Sequence, residues 1–99
     1  MARQIIWTKR AQWERKEILT FWNERNQSSI YSHKLNELIK DSLQLICKFP
    51  FIGKPTNRET IRVKILKNYL IIYQITTTNI IVLSIWDNRQ SPVKSVIKP

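Results

Sequence analysis

Glycine is nearly missing from this 99-residue chain, with Gly53 as its single copy. That scarcity excludes the glycine-rich loops that cradle phosphates, and with only four prolines it leaves little room for long linkers. Cysteine also occurs once, as Cys47, so an internal disulfide and a multi-cysteine metal site are both excluded. We read Cys47 as a small buried hydrophobe of a reduced, cytoplasmic protein rather than as a nucleophile. The single histidine, His33, falls off the apolar stripe of its helix and reads as a solvated residue, not a general base. No Ser–His–acid or paired-carboxylate spacing stands out, and neither a metal nor another cofactor is expected. No apolar run reaches the roughly 18 residues of a membrane span, and the N-terminal residues lack a signal-peptide pattern, so no membrane partner is expected. Acids are the last scarcity: 7 Asp and Glu stand against 17 Lys and Arg, a net charge of +10.

What is present suffices for one domain over residues 1–99, since 42% of the residues are hydrophobic. The positive excess favours an anionic partner: nucleic acid, a ribonucleoprotein surface or an acidic protein. The plainer alternative is a surface that is merely well solvated.

Gln4-Ile5-Ile6-Trp7 reads as a short first strand. Thr8 then offers a hydroxyl to the free amides of a helix running to about residue 26. Ala11, Ile18 and Trp22 share one line of that helix, with Leu19 and Phe21 beside it. Trp13 lies nearly opposite, either tucked under a loop or awaiting a partner. After a short link at 26–28, Ser28 or Ser29 can cap a second helix reaching about residue 48, with Tyr31, Leu35, Leu38, Leu45 and Ile46 along one face. Pro50 ends it. Helices joined so closely lie antiparallel as a hairpin. From residue 61 the period changes to 2: in Ile61-Arg62-Val63-Lys64-Ile65 apolar residues alternate with cations. Strands over 69–76 and 80–86 follow, separated by Thr77-Thr78-Asn79. The expectation is an α+β fold: an N-terminal strand, a two-helix antiparallel hairpin, then a three-stranded antiparallel sheet packed on the hairpin.

If Ile61, Val63 and Ile65 pack on the helices, Arg62 and Lys64 point to the uncovered sheet face. With Arg58 and Lys67 nearby they make a phosphate-tracking surface or, more plainly, an ordinary wet face. Taking Ile71, Tyr73 and Ile75 as core puts Leu70, Ile72 and Gln74 on the same open face, where exposed aliphatics suit a protein partner. Asp87, Asn88 and Arg89 form a polar cluster at the last strand's exit, either a functional rim or a turn in which Asp87 and Arg89 pair with each other.

Taken together, the first strand, the hairpin, Pro50-x-x-Gly53-x-Pro55, Arg62-x-Lys64, Tyr69-Leu-Ile-Ile-Tyr73 and Ile85-Trp86-Asp87-Asn88-Arg89-Gln90-Ser91-Pro92 resemble the RelE/ParE superfamily of bacterial toxins. The resemblance covers almost the whole chain. It implies a RelE/ParE-like fold, the role of toxin in a type II toxin–antitoxin pair, and a cognate antitoxin as partner, expected to wrap Trp13, Leu70 and Ile72. For the target it implies either DNA gyrase, as in the ParE-like branch, or the ribosome and its mRNA, as in the RelE-like branch. In the RelE-like case Arg62, Lys64 and Arg89 would be the catalytic set of a metal-free endoribonuclease. That branch places an arginine directly after the residue matching Tyr69, where this chain has Leu70, and no His or Tyr follows Pro92 to act as acid or base. The ParE-like branch is therefore favoured, with Arg58, Arg62, Lys64, Lys67, Asp87, Asn88 and Arg89 as target-binding candidates. A non-catalytic nucleic-acid-binding module is the remaining alternative.

Overall fold

The computed structural model describes residues 3–88. Strand β1 (Gln4–Trp7) leads into helix α1 (Lys9–Asn26) and helix α2 (Ile30–Lys48). A 3-10 turn at Pro50–Ile52 and a two-residue strand β2 (Lys54–Pro55) come next. Strands β3 (Ile61–Leu66), β4 (Tyr69–Ile75) and β5 (Asn79–Asp87) complete the order.

The α+β architecture is as expected, with a larger sheet. Its five strands lie in the order β1-β5-β4-β3-β2, and β1 joins parallel to β5 while the other pairs are antiparallel. Thr8 fixes the junction from β1 to α1. Its hydroxyl oxygen accepts from the Ala11 amide at 3.1 Å, and its O–H points at the Val82 and Leu83 carbonyls. One residue thus caps the helix and ties it to β5. Gln27 closes α1 in the left-handed region at φ 50, a conformation that sterically disfavours continuing the helix.

The hairpin covers one face of the sheet. Ala11, Leu35, Ile39, Leu43, Ile46 and Cys47 pack on Tyr69, Ile71, Tyr73, Ile80, Val82 and Ile85. Ile18, Leu19 and Trp22 of the expected α1 stripe join this core, but Phe21 is turned half outward. On α2 the buried line runs through Ile39 and Leu43, leaving Leu45 exposed rather than inside. Among the described residues, no helix is long and apolar enough to cross a membrane.

Strand β3 corrects the sequence expectation. Arg62 lies opposite Tyr73 and Lys64 opposite Ile71, while Val63 lies opposite Ile72 and Ile65 opposite Leu70. Residues directly opposite each other share a face, so the two cations stand on the helix-covered side and Val63 on the other. The cause is the turn. Lys67-Asn68 is a two-residue link that pairs Leu66 with Tyr69, and that register fixes every pair behind it. Leu70 and Ile72 are consequently not exposed. They are 6% and 2% accessible, packed with Val63 and flanked by Ile61, Leu83 and Trp86 in a second apolar cluster.

Candidate functional site

The Pro50–Pro55 segment is held to the sheet by two side chains. Tyr73 is fully buried; its O–H donates to the Pro50 carbonyl at 2.6 Å and its oxygen accepts from the Gly53 amide at 3.0 Å. Burial pushes this phenol above its ordinary value, with the Gly53 amide and the Arg62 charge pulling the other way. Gly53 is required by close approach rather than by an unusual backbone. A Cβ there would stand 2.6 Å from the Tyr73 hydroxyl and 3.0 Å from the Val63 carbonyl oxygen.

Arg62 is the second anchor. Its Nη1 donates to the Phe51 and Gly53 carbonyls at 3.0 and 2.8 Å, and its guanidinium lies 5.0 Å from the Phe51 ring. Its Nε is buried without a partner among the described residues. These contacts commit Arg62 to fastening the turn. Lys64 is half-buried beside it in sequence, on the same side of the strand.

The other sequence candidates do not converge on one spot. Arg58 sits in the turn before β3, where Thr56 Oγ1 accepts from its amide and donates to its carbonyl. Lys67 lies at the other end of β3, exposed, with φ 55. Six strand residues separate the two turns, roughly 20 Å of chain. Lys67 instead neighbours Asp87 and Asn88: Asp87 lies opposite Tyr69, and the Asn88 amide donates to the Asn68 carbonyl at 2.9 Å. Arg89 lies outside the described residues. His33 is exposed on α2, and Cys47 is buried there, its thiol pushed up by burial and drawn back by Arg3. Among the described residues, no three His, Cys, Asp or Glu are grouped to hold a metal.

Trp13 is 62% exposed and is not tucked under a loop. It opens onto a groove of about 630 Å3 between α1 and the ends of β4 and β5. The sequence reading singled out Trp13 and Asp87, placed Phe21 beside the buried stripe, and missed Glu14, Glu17 and Glu24. The missed signal was spacing: with Trp13 at position i, Glu17, Phe21 and Glu24 fall at i+4, i+8 and i+11, one face of α1. The groove exists because β1 stops at Trp7 while β5 continues to Asp87. A register shift in β5 opposite Ile72 and Tyr73 re-aims the strand there. Glu14 then covers the bared edge, its Oε1 accepting from the Ser84 hydroxyl at 2.8 Å and the Ile85 amide at 3.2 Å. Trp22 Nε1 donates to the hydroxyl of Tyr69, a lining residue, at 2.7 Å.

No curated protein matches the sequence. Among solved structures the chain is similar to one described as "Chromosomal ParDE TA system from P. aeruginosa", with a TM-score of 0.71 and 15% identity over 85% of this chain and 94% of that one. At that identity the likeness concerns the fold. The family described as "ParE toxin of type II toxin-antitoxin system, parDE" matches over residues 5–92, from the first strand through the polar exit. The chain belongs to the ParE toxin family of type II toxin–antitoxin systems.

Proposed function

We propose that this toxin arrests bacterial growth by acting on DNA gyrase and that a cognate antitoxin neutralises it by covering Trp13. The observation that carries the choice of target is Leu70. At the place where an mRNA-cleaving relative would present a cation, this chain buries a leucine between Val63 and Ile72. Arg62, the nearest cation in such a set, is committed to the Phe51 and Gly53 carbonyls. Stabilising a phosphoryl transition state needs cations that converge on one point, and Arg58 and Lys67 stand at opposite ends of β3.

We assign the target contact to the pole that carries Lys67, Asp87 and Asn88, together with Arg89, the next residue in the sequence. The net charge of +10 suits a DNA-bound topoisomerase and a ribosome alike, so it does not enter the choice between them. The deciding experiment is induction of the chain in cells, wild type beside Arg89→Ala, with protein and DNA synthesis pulse-labelled separately. An early fall in DNA synthesis with filamentous cells, weakened in the variant, is expected. An early fall in translation with cut messages would replace gyrase by the ribosome, and unimpaired growth would remove the toxic activity itself.

A further inference from the structure

The groove along α1 has the wrong charge for this protein. Of the seven acids in the chain, Glu14, Glu17, Glu24 and Asp87 line it, and no Lys or Arg does among the described residues. A net charge of +10 leads one to expect an acidic partner everywhere, yet this aromatic groove is acidic. Glu14 is occupied by Ser84, Ile85 and Arg10. Glu17 and Glu24 are exposed and make no ion pair among the described residues.

We infer that this groove takes a cationic amphipathic helical segment of the antitoxin, an inference that rests on the proposed toxin–antitoxin reading. Glu17 and Glu24 are two turns apart on one helix face, about 10 Å at the helical rise. A partner helix matches that distance with Lys or Arg side chains seven residues apart. Its apolar residues meet Phe21 between the two cations and Trp13 one turn before Glu17, side chains that are 49% and 62% exposed. Indole faces also attract guanidinium and ammonium groups, so the aromatic and acidic linings select for the same kind of side chain. The positive remainder of the protein does not cancel this preference. At physiological salt the screening length is about 8 Å, so a docked segment responds chiefly to the carboxylates it touches.

Two probes test the inference on the full-length protein. The first is a pair of synthetic amphipathic helical peptides with identical apolar residues, one bearing Lys and Arg seven residues apart, the other Glu at the same places. The basic peptide is expected to bind at least about tenfold more tightly, and Glu17→Lys with Glu24→Lys should abolish the difference. Both positions are exposed, so the double variant should keep the wild-type thermal midpoint. Glu37→Lys with Asp41→Lys, exposed on α2, adds the same charge elsewhere and should leave the preference intact. Equal binding, or preference for the acidic peptide, overturns the inference, because bulk charge would then be governing.

The second probe is the neighbouring antitoxin, co-expressed with each variant. Loss of neutralisation with the α1 variant but not the α2 variant is expected, whereas full neutralisation of both overturns the groove as its dock. Failure of any neighbouring gene product to neutralise the wild type would instead refute the toxin–antitoxin reading, and the peptide preference would still decide the chemistry of the groove.

Discussion

At the β2–β3 edge of the sheet, charged and polar groups are turned inward and used. Arg62 holds two carbonyls and Tyr73 holds a carbonyl and an amide, all within Pro50–Gly53. At the opposite edge, where β5 outruns β1, one carboxylate of α1 is used in the same way and two more are left facing solvent. Both regions repair the same defect, a strand edge with unpaired backbone groups. The first repairs it with a folded-back turn, and the chain's own atoms satisfy its polar groups. The second repairs it with a single glutamate and leaves an aromatic groove beside the repair. The cations of β3 therefore do not form the open-face surface that alternation suggested: Arg62 is spent on the Pro50–Gly53 turn, whereas Glu17 and Glu24 of α1 face solvent.

Placing a charge where the sheet is fully packed tests the comparison hardest. Leu70→Arg would set a guanidinium into the cluster of Val63 and Ile72. We expect a loss of about 3–5 kcal/mol, the range for an uncompensated buried charge, measured by urea denaturation. A stable variant would mean that this face is wet and that the nuclease-like surface is available after all.

Arg62→Ala comes next. It removes two charge-assisted hydrogen bonds and the contact with Phe51, and about 2–3 kcal/mol should be lost. Gly53→Ala should cost about 1–3 kcal/mol by overpacking against Tyr73 and the Val63 carbonyl. If Arg62→Ala left stability unchanged and abolished toxicity, Arg62 would belong to the target surface and the contrast between the edges would collapse.

Much of this was legible before any coordinates. Thr8 precedes an apolar stripe at helical spacing, and it caps α1 as that pattern predicts. Lys48 ends α2 two residues before Pro50. The facing of β3 was not legible from alternation alone, because a period of two defines two faces without saying which is covered. The two-residue turn at Lys67-Asn68 does decide it, since a link of that length pairs each even-numbered residue of β3 with an odd-numbered one of β4. Putting Ile71 and Tyr73 in the core therefore places Arg62 and Lys64 on their side. The pairing of β1 with β5 joins residues more than seventy positions apart, and the groove depends on it. Glu17 and Glu24 look like ordinary solvated helix positions until β5 is placed beside them.

Tyr73 gives a prediction in pH. Its folded-state pKa is raised by burial, so the fold favours the protonated phenol. This contribution is fully present below the ordinary tyrosine value of about 10 and is lost as pH rises through the folded value. Stability of the wild type should thus fall more steeply above about pH 10 than that of Tyr73→Phe. Below that pH the variant should be the weaker by about 1–3 kcal/mol, because the Gly53 amide loses its acceptor. Parallel curves from pH 8 to 11 would show that the hydroxyl is not the pin at this edge.

The smallest expected change lies in the groove. Glu17→Gln with Glu24→Gln keeps side-chain length and removes two negative charges from residues that make no ion pair among those described. Stability should move by less than about 0.5 kcal/mol, as for surface changes away from any structural feature. The sign should be slightly unfavourable, since two more net positive charges add to the self-repulsion of a chain already at +10. That near-neutrality separates the two edges, because a change of similar chemical size at Arg62 is expected to cost several times more. A loss above about 2 kcal/mol would show that the carboxylates of α1 are spent on the fold as fully as Arg62 is, and the groove would then hold no charge in reserve for a partner.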